Sequence, residues 1–293
     1  MIHRFHVVAK RNSFYPILTK TPFPMSIPFQ KYHGTGNDFV MIDQREVNYL
    51  AHDDHERIAA ICHRRFGVGA DGLILLENDL DHDFKMIYYN SDGRPSSMCG
   101  NGGRCIVRFA QQLGIIERET TFLAVDGPHR ARIEANGWVA LEMTPVSEMF
   151  TDPDHSLLNT GSPHFVTFVE DLSDINVKES GALIRYSDLY KEKGINVNFV
   201  EQTEDGLLVG TYERGVEDET LSCGTGVTAA AIAYAHKKRL ATEEQLAIPV
   251  ETRGGQLRIE FRRTEHGATD IWLIGPAVRS FEGMLPGAPG SGV

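Results

Sequence analysis

Alternating apolar and polar positions dominate this chain, and the alternation breaks repeatedly at two-residue turn signals. Arg132-Ile133-Glu134-Ala135, then Asn136-Gly137, then Trp138-Val139-Ala140-Leu141 reads as strand, tight turn and strand. The form recurs at Asn196 to Glu201, Asp205-Gly206 and Leu207 to Tyr212. It recurs again at Thr252-Arg253, Gly254-Gly255 and Gln256 to Phe261. Chained hairpins predict a mostly antiparallel sheet. Three stretches switch to helical spacing. Asp54 to Arg65 brings Ile58, Ile61 and Cys62 to one face. After Cys99, Ile106, Phe109, Ala110 and Leu113 recur at that spacing until Gly114, a good helix stop. After Cys223, Val227, Ala230, Ala231 and Tyr234 do the same, and Lys237, Lys238 and Arg239 suit the negative end of the helix dipole. This Ala-rich helix is expected to be buried on nearly all sides. The pattern predicts an α+β fold of two similar domains, each a curved, mostly antiparallel sheet around a central helix, with a cleft between them.

Composition narrows the partners. The 293 residues are 41% hydrophobic and 24% charged, enough for two domains of ordinary globular character. No apolar run is long enough to span a bilayer. The net charge of -11 argues against a nucleic-acid partner, which needs a basic stripe. Four cysteines are too few for a disulfide framework at this length, and reduced cytoplasmic thiols are the expectation. Arg4, Lys10, Arg11 and Lys20 precede the first acidic residue, Asp38, in the manner of a targeting segment. Pro16, Pro22 and Pro24 interrupt the stretch and it has no apolar run, so residues 1–25 are read as an extension, with Met25 as an alternative start. The Pro- and Gly-rich residues 286–293 are expected to be a disordered tail.

The chemistry lies in a repeated motif. Ser97-Met98-Cys99-Gly100-Asn101-Gly102-Gly103 and Leu221-Ser222-Cys223-Gly224-Thr225-Gly226-Val227 each run Cys-Gly-x-Gly straight into a predicted helix, one in each half. A helix start leaves N–H groups unpaired and carries partial positive charge. It is expected to lower a thiol's pKa and to bind a carboxylate. The glycines are expected to let a substrate approach the backbone. Two such thiols suit proton removal from one face of a carbon and return to the other. A lone cysteine is usually a small buried hydrophobe, the reading kept for Cys62 and Cys105.

Rival chemistries fit less well. Cys99 and Cys105 lack redox-pair spacing. Cys62-His63 with His52 and His55 matches no zinc pattern. A cysteine hydrolase using His164 leaves the second motif unexplained. Gly67-Val68-Gly69-Ala70-Asp71-Gly72 matches a dinucleotide fingerprint, but in the wrong context, with a helix before and a strand after. Asn-rich loops and the Glu213-Arg214 pair suit a substrate bearing amino-acid groups, since Arg grips a carboxylate bidentately and Glu takes an ammonium.

Together, Lys31-Tyr32-His33-Gly34-Thr35-Gly36-Asn37-Asp38-Phe39, Asn90-Ser91-Asp92-Gly93, Met98-Cys99-Gly100-Asn101-Gly102, and Tyr212-Glu213-Arg214-Gly215 leading to Cys223-Gly224-Thr225-Gly226 resemble the diaminopimelate epimerase family, from about Phe29 to Gly283. The resemblance implies interconversion of LL- and meso-2,6-diaminoheptanedioate in lysine and peptidoglycan-precursor synthesis, without pyridoxal phosphate or metal. It implies Cys99 and Cys223 as the acid/base pair. Asn37, Asn90, Asn196, Glu213 and Arg214 would hold the substrate, chiefly its non-reacting end, and Gly100, Asn101, Gly224 and Thr225 its reacting carboxylate. His164 and Ser162 would support the site. Two pseudo-symmetric domains are implied, 26–144 with 277–285 and 145–276, with the last strand returning to the first domain; a homodimer is a further expectation. The sequence departs from some members at Ser162, where they carry Asn and where a water or Asn159 would be the substitute, and at Gly72, where they carry Gln. The competing functions are a proline- or hydroxyproline-type racemase and a non-catalytic amino-acid-binding protein. The Glu213-Arg214 pair disfavours the first, and the paired thiols disfavour the second.

Overall fold

Each half of the chain repeats one order of elements, and the period-two strands explain how the layers form. The computed structural model describes residues 26–242 and 244–287; the predicted extension, residues 1–25, and residues 288–293 of the predicted tail lie outside them. The first half runs β1 (Ser26–Gly34), β2 (Asn37–Asp43), α1 (His55–Cys62), β3 (Gly72–Glu77), β4 (Lys85–Asn90), α2 (Gly100–Gln112), β5 (Glu119–Ala124), β6 (Gly127–Ile133), β7 (Val139–Glu142) and β8 (Met149–Thr151). The second runs β9 (Ser156–Asn159), β10 (Pro163–Val169), α3 (Val177–Arg185), β11 (Asn196–Gln202), β12 (Leu207–Glu213), β13 (Asp218–Thr220), α4 (Gly224–Lys237), β14 (Gln245–Thr252), β15 (Gly255–Arg263), β16 (Ala268–Gly275) and β17 (Val278–Pro286). The three hairpins form, as β6–β7, β11–β12 and β14–β15.

Parallel pairs occur at equivalent places in the two halves. β2 pairs parallel with β3 across α1, and β10 with β11 across α3. Alternation along these strands serves two helices at once. Phe39, Met41, Ile74 and Leu76 join the large core around α2 and α4, while Val40, Ile42, Leu73 and Leu75 pack with Ile58, Ile61 and Cys62 of α1. Val200 likewise joins the large core, and Val197 and Phe199 pack with Val177 of α3. The sequence reading found α1, α2 and α4 but not α3. The Ala-rich α4 is sheathed almost all round, with Ala229 through Ala233 fully buried.

The halves are stitched together. β7 pairs antiparallel with β16, from Val139↔Gly275 to Glu142↔Trp272. β17 pairs antiparallel with β1, from Ser26↔Pro286 to His33↔Val278, and β8 closes on β9 in the same manner. Pro286 is therefore the end of a strand rather than the start of a tail, and its carbonyl accepts from Arg57. No helix among the described residues is long and apolar enough to cross a membrane.

Candidate active site

The repeated motif brings the two helix starts together. Cys99 and Cys223 are the extended N-cap residues of α2 and α4. Cys99 Sγ accepts from the Gly102 N–H at 3.2 Å, whereas Cys223 Sγ lies 3.4 Å from the Thr225 hydroxyl. The first residues of the two helices lie against each other and under Leu273. A Cβ on Gly100 would lie 2.5 Å from Leu273 Cδ2 and 3.8 Å from Gly224 Cα, and one on Gly224 would meet the same leucine at 2.8 Å. Cβ atoms on Gly102 and Gly226 would also meet protein: Ile74 at 3.1 Å and Asn198 at 2.4 Å. These glycines therefore also serve packing around the two helix starts. The N–H groups of Gly100, Asn101, Gly224 and Thr225 belong to first turns, which provide no intrahelical acceptor.

The thiols are not depressed in the ligand-free protein. Burial, opposed by the Gly102 N–H, pushes Cys99 up to about 11. Burial and the nearby Glu213 carboxylate push Cys223 up to about 12. Desolvation of the charged form outweighs the helix start, a correction to the sequence reading. The Cys99 charge adds a smaller upward push on Cys223. Cys62 and Cys105 are buried within helices, and all four cysteines are free thiols.

The first half supplies one wall. Asn37 donates to Asp71 at 3.1 Å and accepts from the Asn101 amide. Asp71 is held by Arg64 at 2.6 Å, and Arg64 also grips Asp38, which Lys31 approaches to 2.8 Å. Asn90 is exposed at the end of β4, in register with Gly72 beside Asp71. The apparent dinucleotide loop is thus part of this wall, and it runs into β3 rather than a helix. Asn101 is nearly sealed, with its amide committed to Asn37, Ser222 O, Thr35 and Arg104, so a carboxylate can use only its backbone N–H.

The second half supplies the other wall. Asn196 donates to Ser162 Oγ at 2.8 Å and to Pro163 O at 3.1 Å, and accepts from the Arg214 N–H at 2.8 Å. Ser162 also accepts from the Arg214 guanidinium at 3.3 Å. Ser162, Asn196 and Arg214 therefore form one unit, in which Asn196 orders the other two. Asn159 is spent on the turn, accepting from the Gly161 N–H at 2.9 Å. Burial and the nearby Asp71 carboxylate raise the Glu213 pKa. Buried His164 accepts from Asn198 through Nδ1, which assigns its proton to Nε2. Burial and the Arg214 charge hold it down to about 3, so it is neutral.

Two residues near the thiols were not singled out from the sequence. Arg104 is fully buried, and its guanidinium donates to Asn101 Oδ1 at 2.8 Å, Thr35 Oγ1 at 3.1 Å and Gly100 O at 3.3 Å. Burial pulls its pKa down to about 10, so it remains charged at neutral pH and favours the Cys99 thiolate. Helical position alone reads such a residue as surface charge. Tyr88 fills the space beside Gly72, where a Cβ would lie 2.5 Å from its ring. No group of three or more His, Cys, Asp and Glu side chains among the described residues could hold a metal ion.

Two thiols across a seam of helix starts, flanked by an acid and an arginine, can hold an amino-acid carboxylate and exchange its α-proton. The fold and site define a class of repeated α+β proteins with one cysteine at the head of each central helix. A phenazine biosynthesis protein of the PhzF family from Bacillus anthracis shares the fold, with a TM-score of 0.71 at 15% identity, over 89% of this chain and 99% of that one. So does a hydroxyproline epimerase from Agrobacterium vitis, with a TM-score of 0.62 at 15% identity, over 90% and 93%. The diaminopimelate epimerase family model matches residues 29–149 and 156–279. A diaminopimelate epimerase from Flavobacterium psychrophilum is 52% identical over 253 residues, 86% of this chain and 97% of that protein. One from Aquifex aeolicus is 40% identical over 276 residues, 88% and 97% respectively. The chain belongs to the diaminopimelate epimerase family.

Proposed function

We propose that this protein interconverts LL- and meso-2,6-diaminoheptanedioate by proton transfer between Cys99 and Cys223, in lysine and peptidoglycan-precursor synthesis. The observation that carries the reading is the apposition of two N-cap cysteines on abutting helices. The reacting carboxylate sits at the N–H groups of Gly100, Asn101, Gly224 and Thr225, with its α-carbon between the sulfurs. One thiolate takes the α-proton, and the opposite thiol gives a proton to the other face. Preorganised N–H dipoles favour the carbanion, so the scheme uses neither pyridoxal phosphate nor metal. Both thiols are largely protonated in the free protein. The substrate's ammonium and the Arg104 charge favour the thiolate the reaction needs. Asn37, Asn90, Glu213 and the Ser162–Asn196–Arg214 unit hold the remaining polar groups, and His164 supports that unit as a neutral side chain.

We take the catalytic units to be residues 26–144 with 277–285 and residues 145–276. We take the protein to act in the cytoplasm, where thiols stay reduced. We also take it to be a homodimer, a reading in keeping with exposed Phe281 and Met284 on β17.

The test uses reduced protein, chelator and LL-diaminopimelate, with no pyridoxal phosphate added. Meso product should form. Cys99→Ala and Cys223→Ala should each lower kcat about 10²–10⁴-fold, with substrate affinity little changed. No turnover by folded, reduced protein, or full activity in either variant, would overturn the reading.

A further inference from the structure

Tyr88 shares its face of β4 with Asn90, two residues on. Its half-buried ring meets Phe39 edge-on, with centroids 5.9 Å apart. Its tip covers Gly72: a Cβ there would lie 3.2 Å from Tyr88 Oη. That oxygen has no hydrogen-bond partner among the described residues, yet it is not sealed in the core as His164 Nε2 is.

We propose that Tyr88 is a further substrate-contacting residue, whose phenol oxygen accepts a hydrogen bond from an ammonium group of the substrate. The inference rests on the function proposed above. Burial raises the phenol's pKa, and the charges of Cys99, Asp71 and Glu213 raise it further, so the group stays neutral. A neutral oxygen in a corner lined by groups that ionise to anions suits a cation.

The test is Tyr88→Phe, which removes one atom and keeps the ring packed on Phe39. With LL-diaminopimelate, KM should rise about tenfold while kcat changes far less, as when binding energy common to ground and transition states is lost. Competitive inhibition by heptanedioate, which has both carboxylates and no amino group, should be the same in the variant and the unsubstituted protein. An unchanged KM, or equal weakening of substrate and heptanedioate, would overturn the proposal, the latter because it marks a role in cleft shape. Absence of turnover in the unsubstituted protein would instead overturn the parent reading.

Discussion

At Cys99 and Cys223, two physical effects of opposite sign meet. A helix start favours a thiolate, while burial disfavours it, and burial wins in the free protein. Raising a thiol's pKa lowers its thiolate fraction at any given pH, so reactivity climbs over a more alkaline range. Alkylation of Cys99 by iodoacetamide, followed by mass spectrometry on ligand-free protein, should therefore still be accelerating at about pH 9.5. An ordinary thiol, with a pKa near 8.5, levels off by then. A plateau by about pH 9.5 would contradict the burial argument. The cysteines themselves were legible because a rare residue sat twice in one motif. Arg104 and Tyr88 were not, because a cation on a helix and an aromatic in a strand acquire their roles only from what packs against them. Asn101 and Asn196 were legible as site residues, but not as side chains committed to ordering their neighbours.

α3 shows the same limit for an element. Its start carries a good signal, since the Asn176 side chain accepts from the Glu179 N–H at 3.2 Å. Its apolar stripe is short and thin: Val177, Gly181 and Ile184 share the packed face, only the first two are buried, and Leu183 is exposed. Gly181 stands mid-helix because α3 lies against β12. A Cβ there would come within 2.3 Å of Tyr212 Cβ. Helix propensity alone favours Gly181→Ala by about 1 kcal/mol. The contact reverses the sign, and thermal or denaturant unfolding should show a loss of about 1–3 kcal/mol. A more stable variant would show that α3 can lift from the sheet without cost. The hairpins were legible from turn residues and alternation. The parallel pairs β2–β3 and β10–β11 were not: α3 escaped the reading, and finding α1 did not reveal that the strands either side of it pair in parallel.

The whole molecule is a repeat whose two copies are incomplete without each other. β17 returns to β1, β7 joins β16, and Asn101 of one half bonds Ser222 O of the other at 3.2 Å. The two-fold organisation could be read from the duplicated Cys-Gly-x-Gly, but the abutting helix starts could not, because Leu273, which seats both, lies far away in sequence. The function proposed above divides the chemistry between the halves, with one thiol taking the proton and the other supplying a different one. The most direct measurement of this claim follows LL-diaminopimelate at early turnover in D2O by NMR and mass spectrometry. The account predicts that meso product carries deuterium at the inverted α-carbon from the start, because the donating thiol has already exchanged with solvent, while unreacted LL substrate keeps its proton. Product that retains the substrate's own proton, or LL substrate that exchanges as fast as product forms, would mean a single base and contradict the account.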